Sequence, residues 1–532
     1  MKIVIAEKTS PAAIELFREE AGWTIVTADQ VSGLDALAAQ LADADALIVR
    51  SAVDVNAALL AHAKQLRVIG RAGVGVDNIE LDAATRKGIV VMNTPGANAV
   101  AVAEHTFALM LSLARHLSRA DTTTRAGKWE KKSLQGTELR GKTLGIVGLG
   151  RIGLEVASRA RAFGMKIVAH DPFVTQAAVR DREITLTTLD EVYAVADYIS
   201  LHLGLTPQTH GMINEASIAK MKKGVRIVNC ARGELIDDAA LAAALKSAKV
   251  GGVAVDVFSQ EPPKDSALLA SENVVATPHI AGSTNEAQEA VGIQIAQQVK
   301  EYLKRGVIQN AVNVPSVTDE EFATIAPFIA LAEKLGSFLA QVGARDTNLE
   351  EITLRYSGRI AEGKTDLIRN AAIKGVLNQF APDSANLVNA AGVAKDRGIR
   401  VEESKKTDTA GGAASVLTLT LKTTGGAQES KGTVLRGDSS RLLMLNGIDI
   451  EAPLHRNLIY IRNQDVPGVI GQVGTILGGH GVNIASFSLG RREEHVGADA
   501  IAVVAVDHDV PMKALDDLRK IKAVQDVRAV KL

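Results

Sequence analysis

The scarcity of cysteine sets the first limit on what this 532-residue sequence can be. Its one cysteine, Cys230, cannot form an internal disulfide bond, which favours a reducing compartment. No apolar run reaches the roughly 18 residues of a membrane-spanning helix. The strand-like start, MKIVIA, meets Glu7 and Lys8 too early for a secretory signal peptide. We therefore expect a cytoplasmic protein without a membrane partner.

Aromatic residues and net charge are also low. Aromatic residues are 3% of the chain, which argues against a protein that binds single strands by stacking on their bases. The net charge is −1, so the sequence predicts no basic surface for nucleic acid or an anionic membrane. Hydrophobic residues make up 46% and charged residues 23%, as in ordinary globular proteins. A chain of this length is expected to contain several domains.

A nucleotide-binding pattern is present between residues 141 and 172. The apolar run Thr143–Val147 predicts a buried strand, and the segment GLGRIG follows it at residues 148–153. Apolar residues at helical spacing come next, followed by a second predicted strand at Lys166–Ala169 and by Asp171. Strand, glycine loop, helix, strand and acid, in this order, are typical of a dinucleotide-binding unit.

Each part of this unit has a physical role. Gly148 would allow the tight turn, Gly150 would let the backbone approach a pyrophosphate, and Gly153 would let helix and strand pack closely. Free N–H groups at the helix N-terminus favour the phosphates. Asp171 can accept hydrogen bonds from the ribose hydroxyls and would repel a 2′-phosphate, so we expect NAD as the cofactor rather than NADP.

Regular alternation of strands and helices predicts the rest of the fold. Over residues 1–97, and again from the nucleotide unit to about residue 278, short apolar strands alternate with helices, which predicts parallel sheets. Residues 319–450 form a different α/β region, with a strand at Val416–Leu421 and loops at Lys405–Ala414 and Thr423–Gly432. Residues 455–532 follow the order strand, helix, strand, strand, helix, strand, a doubled split βαβ unit.

Three predicted strands are followed by side chains suited to hydride transfer. Arg232 follows one strand and could hold a carboxylate in two hydrogen bonds. Glu261 and His279 follow two others, and a histidine paired with a glutamate is a plausible general acid and base. Any one of them alone would more often be structural. We interpret Cys230 and His105, which lie in apolar segments, as packing and structural residues.

Together these segments resemble the D-2-hydroxyacid dehydrogenase family, in the form with an intervening domain and a C-terminal ACT domain. The segments that carry the resemblance are GLGRIG with HDP, NCARGELID, DVFSQEPP, TPHIAGST, VRSAVDV and GRAGVGVDNI. The resemblance implies an α/β protein with two Rossmann-like parallel-sheet lobes, an α/β intervening domain and a ferredoxin-like ACT domain. The expected domains are substrate-binding at 1–97 and 284–316, NAD-binding at 98–283, intervening (regulatory or assembly) at 319–450 and ACT at 455–532.

The resemblance also implies an activity. The expected reaction is the NAD-dependent oxidation of 3-phospho-D-glycerate to 3-phosphohydroxypyruvate, the first step of L-serine biosynthesis, by a homodimer or homotetramer. One alternative is a dehydrogenase for an unphosphorylated 2-hydroxy acid such as glycerate, which Arg50 and Arg71 disfavour because a phosphate needs cationic partners. Another is an NAD-sensing binding protein on the same fold, which only a turnover assay excludes.

The resemblance assigns roles residue by residue. The catalytic residues are Arg232, Glu261 and His279, and no metal is expected. Arg50, Ser51 and Arg71 would contact the substrate, with Lys131 and Lys132 a weaker cationic pair. The implied cofactor-binding residues are Gly148, Gly150, Arg151, Ile152, Gly153, Asp171, Cys230, Ala231, Arg232, Asp256, His279 and Gly282.

A loop in the C-terminal module suits an amino acid. In the segment RNQDVPG at residues 462–468, Pro467 fits the first turn of a helix whose N–H groups are then free to hold a carboxylate. Asp465 could hold an amino group, and Asn463 and Asn483 could add hydrogen bonds. The pattern resembles ACT domains that bind L-serine between two paired subunits, so L-serine is the expected effector. A purely structural dimer contact is the alternative.

Overall fold

The computed structural model describes residues 1–264, 266–343, 348–381, 385–408, 414–492 and 497–532. Within these ranges the strands form four sheets, and the predicted fold class of two parallel-sheet lobes followed by two further α/β units is confirmed. Short 3₁₀ turns occur at Ala28–Gln30, Gln176–Arg182, Gly233–Leu235 and Arg359–Glu362.

The first sheet is parallel and has the order β2-β1-β3-β4-β5. Its strands are short apolar runs whose residues are almost all buried, as expected when helices cover both faces. The strands are β1 (Lys2–Ile5), β2 (Thr24–Val26), β3 (Ala46–Val49), β4 (Val68–Arg71) and β5 (Val90–Met92). The helices between them are α1 (Pro11–Arg18), α2 (Leu34–Leu41), α3 (Ala57–Ala61) and α4 (Leu81–Arg86).

The second sheet is also parallel, with the order β12-β11-β10-β9-β6-β7-β8. The chain order reverses beside β6, which places a ligand crevice at the carboxyl ends of the central strands. The strands are β6 (Thr143–Val147), β7 (Lys166–His170), β8 (Ile184–Leu186), β9 (Tyr198–Leu201), β10 (Val225–Asn229), β11 (Val250–Val255) and β12 (Val274–Ala276). The helices are α5 (Ala99–Arg115), α6 (Leu117–Arg125), α7 (Arg151–Ala162), α8 (Leu189–Val195), α9 (Glu215–Lys220) and α10 (Asp238–Lys246).

The chain returns to the first sheet after β12. Helix α11 (Asn285–Arg305) packs on α1 and β4. A Cβ at Gly70 in β4 would lie 2.7 Å from Ile295 of this helix, so a glycine is needed for the close approach. The first lobe is therefore built from two separate parts of the chain.

The third sheet has the order β14-β13-β15-β16-β17-β18, and only β13 and β14 pair in parallel. Its strands are β13 (Leu349–Gly358), β14 (Arg400–Lys406), β15 (Ser415–Thr423), β16 (Gly426–Leu435), β17 (Ser439–Leu445) and β18 (Ile448–Pro453). Its helices are α12 (Asp319–Gly343), α13 (Asp366–Phe380) and α14 (Ala390–Asp396). By length and composition alone, Glu320–Gly343 could cross a membrane, but much of it is buried against α13 and this sheet.

Two loop predictions in this region need correction. The loop predicted at Thr423–Gly432 is wrong, because β16 begins at Gly426 and pairs with β15 on one side and β17 on the other. Its sequence, GAQESKG, has no apolar period, and pairing on both sides overrides this weak local preference. The loop predicted at Lys405–Ala414 starts inside β14, which ends at Lys406, and residues 409–413 lie outside the described ranges.

The fourth sheet has the order β20-β21-β19-β22, the arrangement of a ferredoxin-like fold. Its elements are β19 (Asn457–Gln464), α15 (Val469–Gly479), β20 (Ile484–Arg491), β21 (Asp499–Val506), α16 (Met512–Arg519) and β22 (Val524–Lys531). A continuous set of buried side chains runs from the first sheet through α11 and α12 to this last sheet. The C-terminal units are therefore packed onto the first lobe and share its core.

Candidate active site

The glycine loop joins β6 to α7 at the centre of the second sheet. Gly148 has φ +94°, and a Cβ there would lie 2.4 Å from the carbonyl oxygen of His202. A Cβ at Gly153 would lie 2.2 Å from the carbonyl oxygen of Gly148, so only glycine lets the helix approach its own loop this closely. Gly150 has open space where a Cβ would point and begins α7 without a side-chain cap. The N–H groups of the first turn are left for an anion.

Asp171 lies just beyond the end of β7, beside this loop. One carboxylate oxygen accepts a hydrogen bond from the Leu149 amide at 2.8 Å, and the other accepts from the Phe173 amide at 2.8 Å. Both bonds fix the carboxylate and leave lone pairs for hydroxyl groups. Free helix N–H groups, open space above Gly150 and a fixed acid fit NAD, which supplies a hydride acceptor when bound.

Arg151 and Ile152 open α7, as the sequence indicates, but the arginine side chain leaves the loop. Its guanidinium donates to the carbonyl of Pro95, in the segment between the two lobes, and lies against Gly96. Arg151 therefore links the lobes in this structure. Gly282 also lies near this junction, since a Cβ there would contact the side chain of Asn98 at 3.0 Å.

Glu261 and His279 form the hydrogen-bonded pair on which acid-base chemistry would depend. Nδ1 of His279 lies 2.7 Å from Oε2 of Glu261, and the other carboxylate oxygen accepts from the Phe258 amide at 3.1 Å. The carboxylate can only accept, so Nδ1 carries the proton and Nε2 is available for exchange. The two side chains are 52% and 37% exposed, so a substrate can reach them.

Asp256 is fully buried beneath the segment that carries His279. Its carboxylate accepts from the Thr277 hydroxyl at 2.6 Å and from the amides of Ile280 and Ala281 at 2.9 and 2.8 Å. Burial alone would raise the pKa of Asp256, but hydrogen bonds from His105, Thr277 and the two amides outweigh it and leave the pKa lowered. The acid is thus ionised and anchors the segment.

Arg232 reaches from the second lobe to the first. Asn229 shapes its loop by accepting from the Ala231 amide at 3.0 Å and donating to the Arg232 carbonyl at 2.8 Å. The guanidinium lies over Gly75 and 3.0 Å from the carboxylate of Asp77. Sequence reasoning missed Asp77, although it lies in the GRAGVGVDNI segment that was singled out.

Arg50 and Arg71 lie in the first lobe near Arg232. Burial, followed by the charge of Arg232, lowers the pKa of Arg71, whose Nε has no hydrogen-bond partner in the described part of the chain. Arg50 donates to the Lys8 carbonyl at 3.1 Å, and Ser51 is exposed beside it. Several guanidinium groups in one cleft, incompletely paired, indicate an anion site.

Cys230 does not have the surroundings of a reactive thiol. It packs against the apolar core under the second sheet, and burial raises its pKa to about 12. This agrees with the interpretation of Cys230 as a packing residue. His105, which we interpret as a structural residue, has polar contacts with Thr277 and Asp256. Its position on an apolar helix gave no signal of these contacts.

A cavity of about 260 Å³ lies at the start of α15 in the fourth sheet's unit. Asn463 and Asp465 line it, together with Arg491, whose Nε lies 3.1 Å from the Asp465 carboxylate. Asn483 is not among the lining residues and donates to Asp507 at 2.6 Å. The structure thus brings two of the three predicted effector residues together within one chain.

Comparison with known proteins relates all parts of the chain to one group of enzymes. Residues 107–281 match the D-isomer specific 2-hydroxyacid dehydrogenase NAD-binding domain, residues 324–446 the D-3-phosphoglycerate dehydrogenase intervening domain, and residues 457–523 the ACT domain. D-3-phosphoglycerate dehydrogenase of Methanocaldococcus jannaschii is 40% identical over 100% of both chains. The Synechocystis enzyme of that name is 39% identical over 100% of this chain and 95% of its own. Aquifex aeolicus D-lactate dehydrogenase, complexed with NAD and lactic acid, is 31% identical with a TM-score of 0.51, covering 59% of this chain and 100% of its own.

Proposed function

Because this chain belongs to the D-3-phosphoglycerate dehydrogenases, a branch of the D-isomer specific 2-hydroxyacid dehydrogenase family, we propose that its cleft oxidises 3-phospho-D-glycerate to 3-phosphohydroxypyruvate. The enzyme is an NAD-dependent oxidoreductase, and its reaction belongs to L-serine biosynthesis. The observation that carries the proposal is the 2.7 Å contact between His279 and Glu261. The pair lies at the carboxyl edge of the sheet that holds the glycine loop, where ligands of such sheets bind.

In this proposal His279 is the general base. Its Nε2 would take the proton of the C2 hydroxyl. The glycine loop and Asp171 would hold NAD, which would supply the hydride acceptor for the same carbon. Glu261 keeps the proton on Nδ1, so Nε2 stays free to accept, and its negative charge stabilises the imidazolium that forms. In the reverse direction the same nitrogen returns the proton to the carbonyl oxygen.

Arg232 is proposed to bind the substrate carboxylate and to polarise the neighbouring carbonyl oxygen. Its guanidinium already pairs with the Asp77 carboxylate at 3.0 Å, so it has the geometry to receive another carboxylate. Arg50, Ser51 and Arg71 are proposed to bind the phosphate. An unphosphorylated acid would leave the half-buried Arg71, whose Nε has no partner among the described residues, without an anion, which supports a phosphorylated substrate over glycerate.

Turnover measurement tests the proposal and separates it from its alternatives. NADH formation should be rapid with 3-phospho-D-glycerate, slow with D-glycerate, and lowered about 10²–10⁴-fold in kcat by His279→Ala. His480→Ala is a matched control, because His480 pairs with Asp517 at 2.8 Å in the C-terminal unit. No turnover with any 2-hydroxy or 2-oxo acid, together with tight NAD binding, would instead indicate an NAD-sensing binding protein.

L-Serine is proposed as an effector that binds the cavity at α15. The Asp465 carboxylate suits the amino group, while Arg491, Asn463 and the helix N–H groups suit the carboxylate and hydroxyl. Asn483 lies outside this cavity, so its assignment to the site requires that it comes from a second copy, in a homodimer or homotetramer. A coupling of about 1–3 kcal/mol between this site and the cleft would give measurable inhibition.

Serine binding is tested by calorimetry and by inhibition of NADH formation. Asp465→Ala and Asn483→Ala should abolish both, and uninhibited turnover should remain. Asp516→Ala, at an exposed ion pair with Arg519, is the control. If millimolar serine neither binds nor inhibits the wild-type enzyme, the unit is a structural contact. Light scattering measures the oligomeric state in the same samples.

The domain bounds and the location of the enzyme are also proposals. We propose a substrate-binding domain at 1–97 and 284–316, an NAD-binding domain at 98–283, an intervening regulatory or assembly domain at 319–450 and an ACT domain at 455–532. A single cysteine supports a cytoplasmic location. Limited proteolysis with mass spectrometry tests the bounds, and cell fractionation tests the location.

A further inference from the structure

The segment that carries His279 is held by an unusual set of contacts. His279 itself has φ +54°, the left-handed region that non-glycine residues rarely adopt. Its amide donates to the Asp256 carbonyl at 2.8 Å and to the Thr277 carbonyl at 3.1 Å. On the far side, the amides of Ile280 and Ala281 donate to the Asp256 carboxylate. Surrounding bonds therefore maintain a backbone conformation that this residue would not keep alone.

Hydrogen-bond accounting extends this set to His105 on α5. The Thr277 hydroxyl has one proton, and the 2.6 Å contact with the acceptor-only carboxylate of Asp256 uses it. The same hydroxyl oxygen lies 3.0 Å from Nε2 of His105, so it must accept there. Nε2 of His105 therefore carries a proton. It also lies 3.4 Å from the Asp256 carboxylate, within range of the negative charge.

This chain of contacts connects a helix at the lobe junction to the candidate base. We propose that His105 is a positioning residue, which fixes the backbone of His279 by donating a hydrogen bond to the Thr277 hydroxyl and thereby holding Asp256 in place. Glu261 and Asp256 then have separate tasks: Glu261 sets the orientation of the His279 ring, and Asp256 sets the backbone that carries it. The inference rests on the proposed role of His279 as general base.

Removing the His105 donor should displace His279 without preventing the substrate from binding in the cleft. Asp256 is 0% exposed, so water cannot readily replace the lost donor, and the carboxylate would move or pull the Thr277–Ala281 segment with it. Small misplacements of a reacting group lower rates strongly, up to about 10²-fold for 1 Å. The expected effect is on kcat, because the polar contacts of His105 are with Thr277 and Asp256 and not with the arginines proposed to bind the substrate.

Two pairs of variants test the hydrogen bond itself. His105→Phe removes the donor and His105→Gln supplies another, while Thr277→Val removes the hydroxyl and Thr277→Ser keeps it. We expect His105→Phe and Thr277→Val to lower kcat about 10- to 100-fold, with KM for 3-phospho-D-glycerate changed less than about threefold. His105→Gln and Thr277→Ser should recover most of the loss. The Thr277 pair carries the test if His105→Phe does not fold.

A control variant and a His279→Ala background separate an effect on the position of His279 from general destabilisation of the protein. Thr433→Val is the matched control, because it removes a buried hydroxyl with a 2.6 Å bond in the third sheet. In a His279→Ala background, His105→Phe and Thr277→Val should cause no further loss, because they act only through His279. Equal losses in both backgrounds, or no loss in the wild type, would overturn the inference. A His279→Ala enzyme with normal turnover would instead overturn the proposed function.

Discussion

Replacing Glu261 by glutamine tests how the acid-base pair works, because the two side chains have the same shape. In the structure one carboxylate oxygen accepts from Nδ1 of His279 at 2.7 Å and the other from the Phe258 amide at 3.1 Å. Glutamine has one acceptor oxygen and one donor NH₂ group. It therefore cannot satisfy both contacts, whichever way its amide is turned.

Each orientation of the glutamine has a defined cost. With its oxygen towards His279, the NH₂ group faces the Phe258 amide, and a donor left unpaired costs about 1–3 kcal/mol. With its NH₂ towards His279, Nδ1 must be the acceptor, so the proton moves to Nε2 and the ring cannot act as a base. In both orientations the charge that stabilises the imidazolium is lost. Coulomb energies at protein surfaces reach about 4 kcal/mol at 4 Å, and partial exposure of this pair reduces that value.

A total of about 2–4 kcal/mol predicts that Glu261→Gln lowers kcat about 30- to 1000-fold. Initial rates of NADH formation at saturating NAD and 3-phospho-D-glycerate measure the effect, and NADH fluorescence should show unchanged cofactor binding. Asp517→Asn changes the equivalent acid of the His480 pair and serves as control. If the kcat of Glu261→Gln stays within about threefold of the wild-type value, the Glu261 carboxylate does not act by holding the proton on Nδ1 of His279.

Three further predictions concern the cofactor, the phosphate and acid stability. Asp171→Asn should lower the preference for NADH over NADPH at least tenfold in dissociation constants from fluorescence titration, because it removes the charge that repels the 2′-phosphate, which no lysine or arginine between residues 171 and 180 offsets; an unchanged ratio contradicts it. Arg71→Ala should raise KM for 3-phospho-D-glycerate at least tenfold and KM for NAD much less in steady-state rates, unless the phosphate binds elsewhere. Burial lowers the pKa of His202 to about 4, so this neutral residue contributes stability that is lost as pH falls from about 6.5 towards 4. Denaturant unfolding of wild type should therefore lose about 3 kcal/mol more over that range than unfolding of His202→Gln, and equal losses would refute this.

The glycine loop and the parallel strands could be predicted because the information is local. Runs such as Thr143–Val147 and Tyr198–Leu201 are buried on both faces, so every residue is apolar or small and the strand bounds agree with the structure. A Cβ at Gly153 would lie 2.2 Å from the Gly148 carbonyl oxygen in the same short unit, whereas a Cβ at Gly148 would lie 2.4 Å from the carbonyl oxygen of the distant His202. The pattern thus contains most of the residues that determine its geometry, and His202 is the exception.

Contacts between distant segments could not be predicted in this way. Arg232 and Asp77 are 155 residues apart, and nothing in either segment indicates that the two lobes bring them together. His105 looks like a core residue, since its partners Asp256 and Thr277 lie on other elements. The segment at β16 shows the same limit for the backbone, because its extended form depends on two neighbouring strands. Sequence reasoning named Arg232, Asp256, Glu261 and His279, but it did not find Asp77 or the contacts of His105.

The charges of the cleft support the proposed binding of a substrate with two anionic groups. The charges of Arg232 and Arg50 contribute to the lowered pKa of Arg71, and the nearby acids that oppose this are Asp77 and Glu7. The Glu7 carboxylate accepts hydrogen bonds from the backbone amides of Arg50, Ala52 and Val53, so its oxygens already have partners in the loop after β3. Asp77 is 68% exposed, and an ion pair so exposed contributes about 1 kcal/mol or less. On the proposed assignment, a substrate carboxylate would displace Asp77 from Arg232 at small cost, and the substrate phosphate would supply an anion to the half-buried Arg71, whose Nε has no hydrogen-bond partner among the described residues.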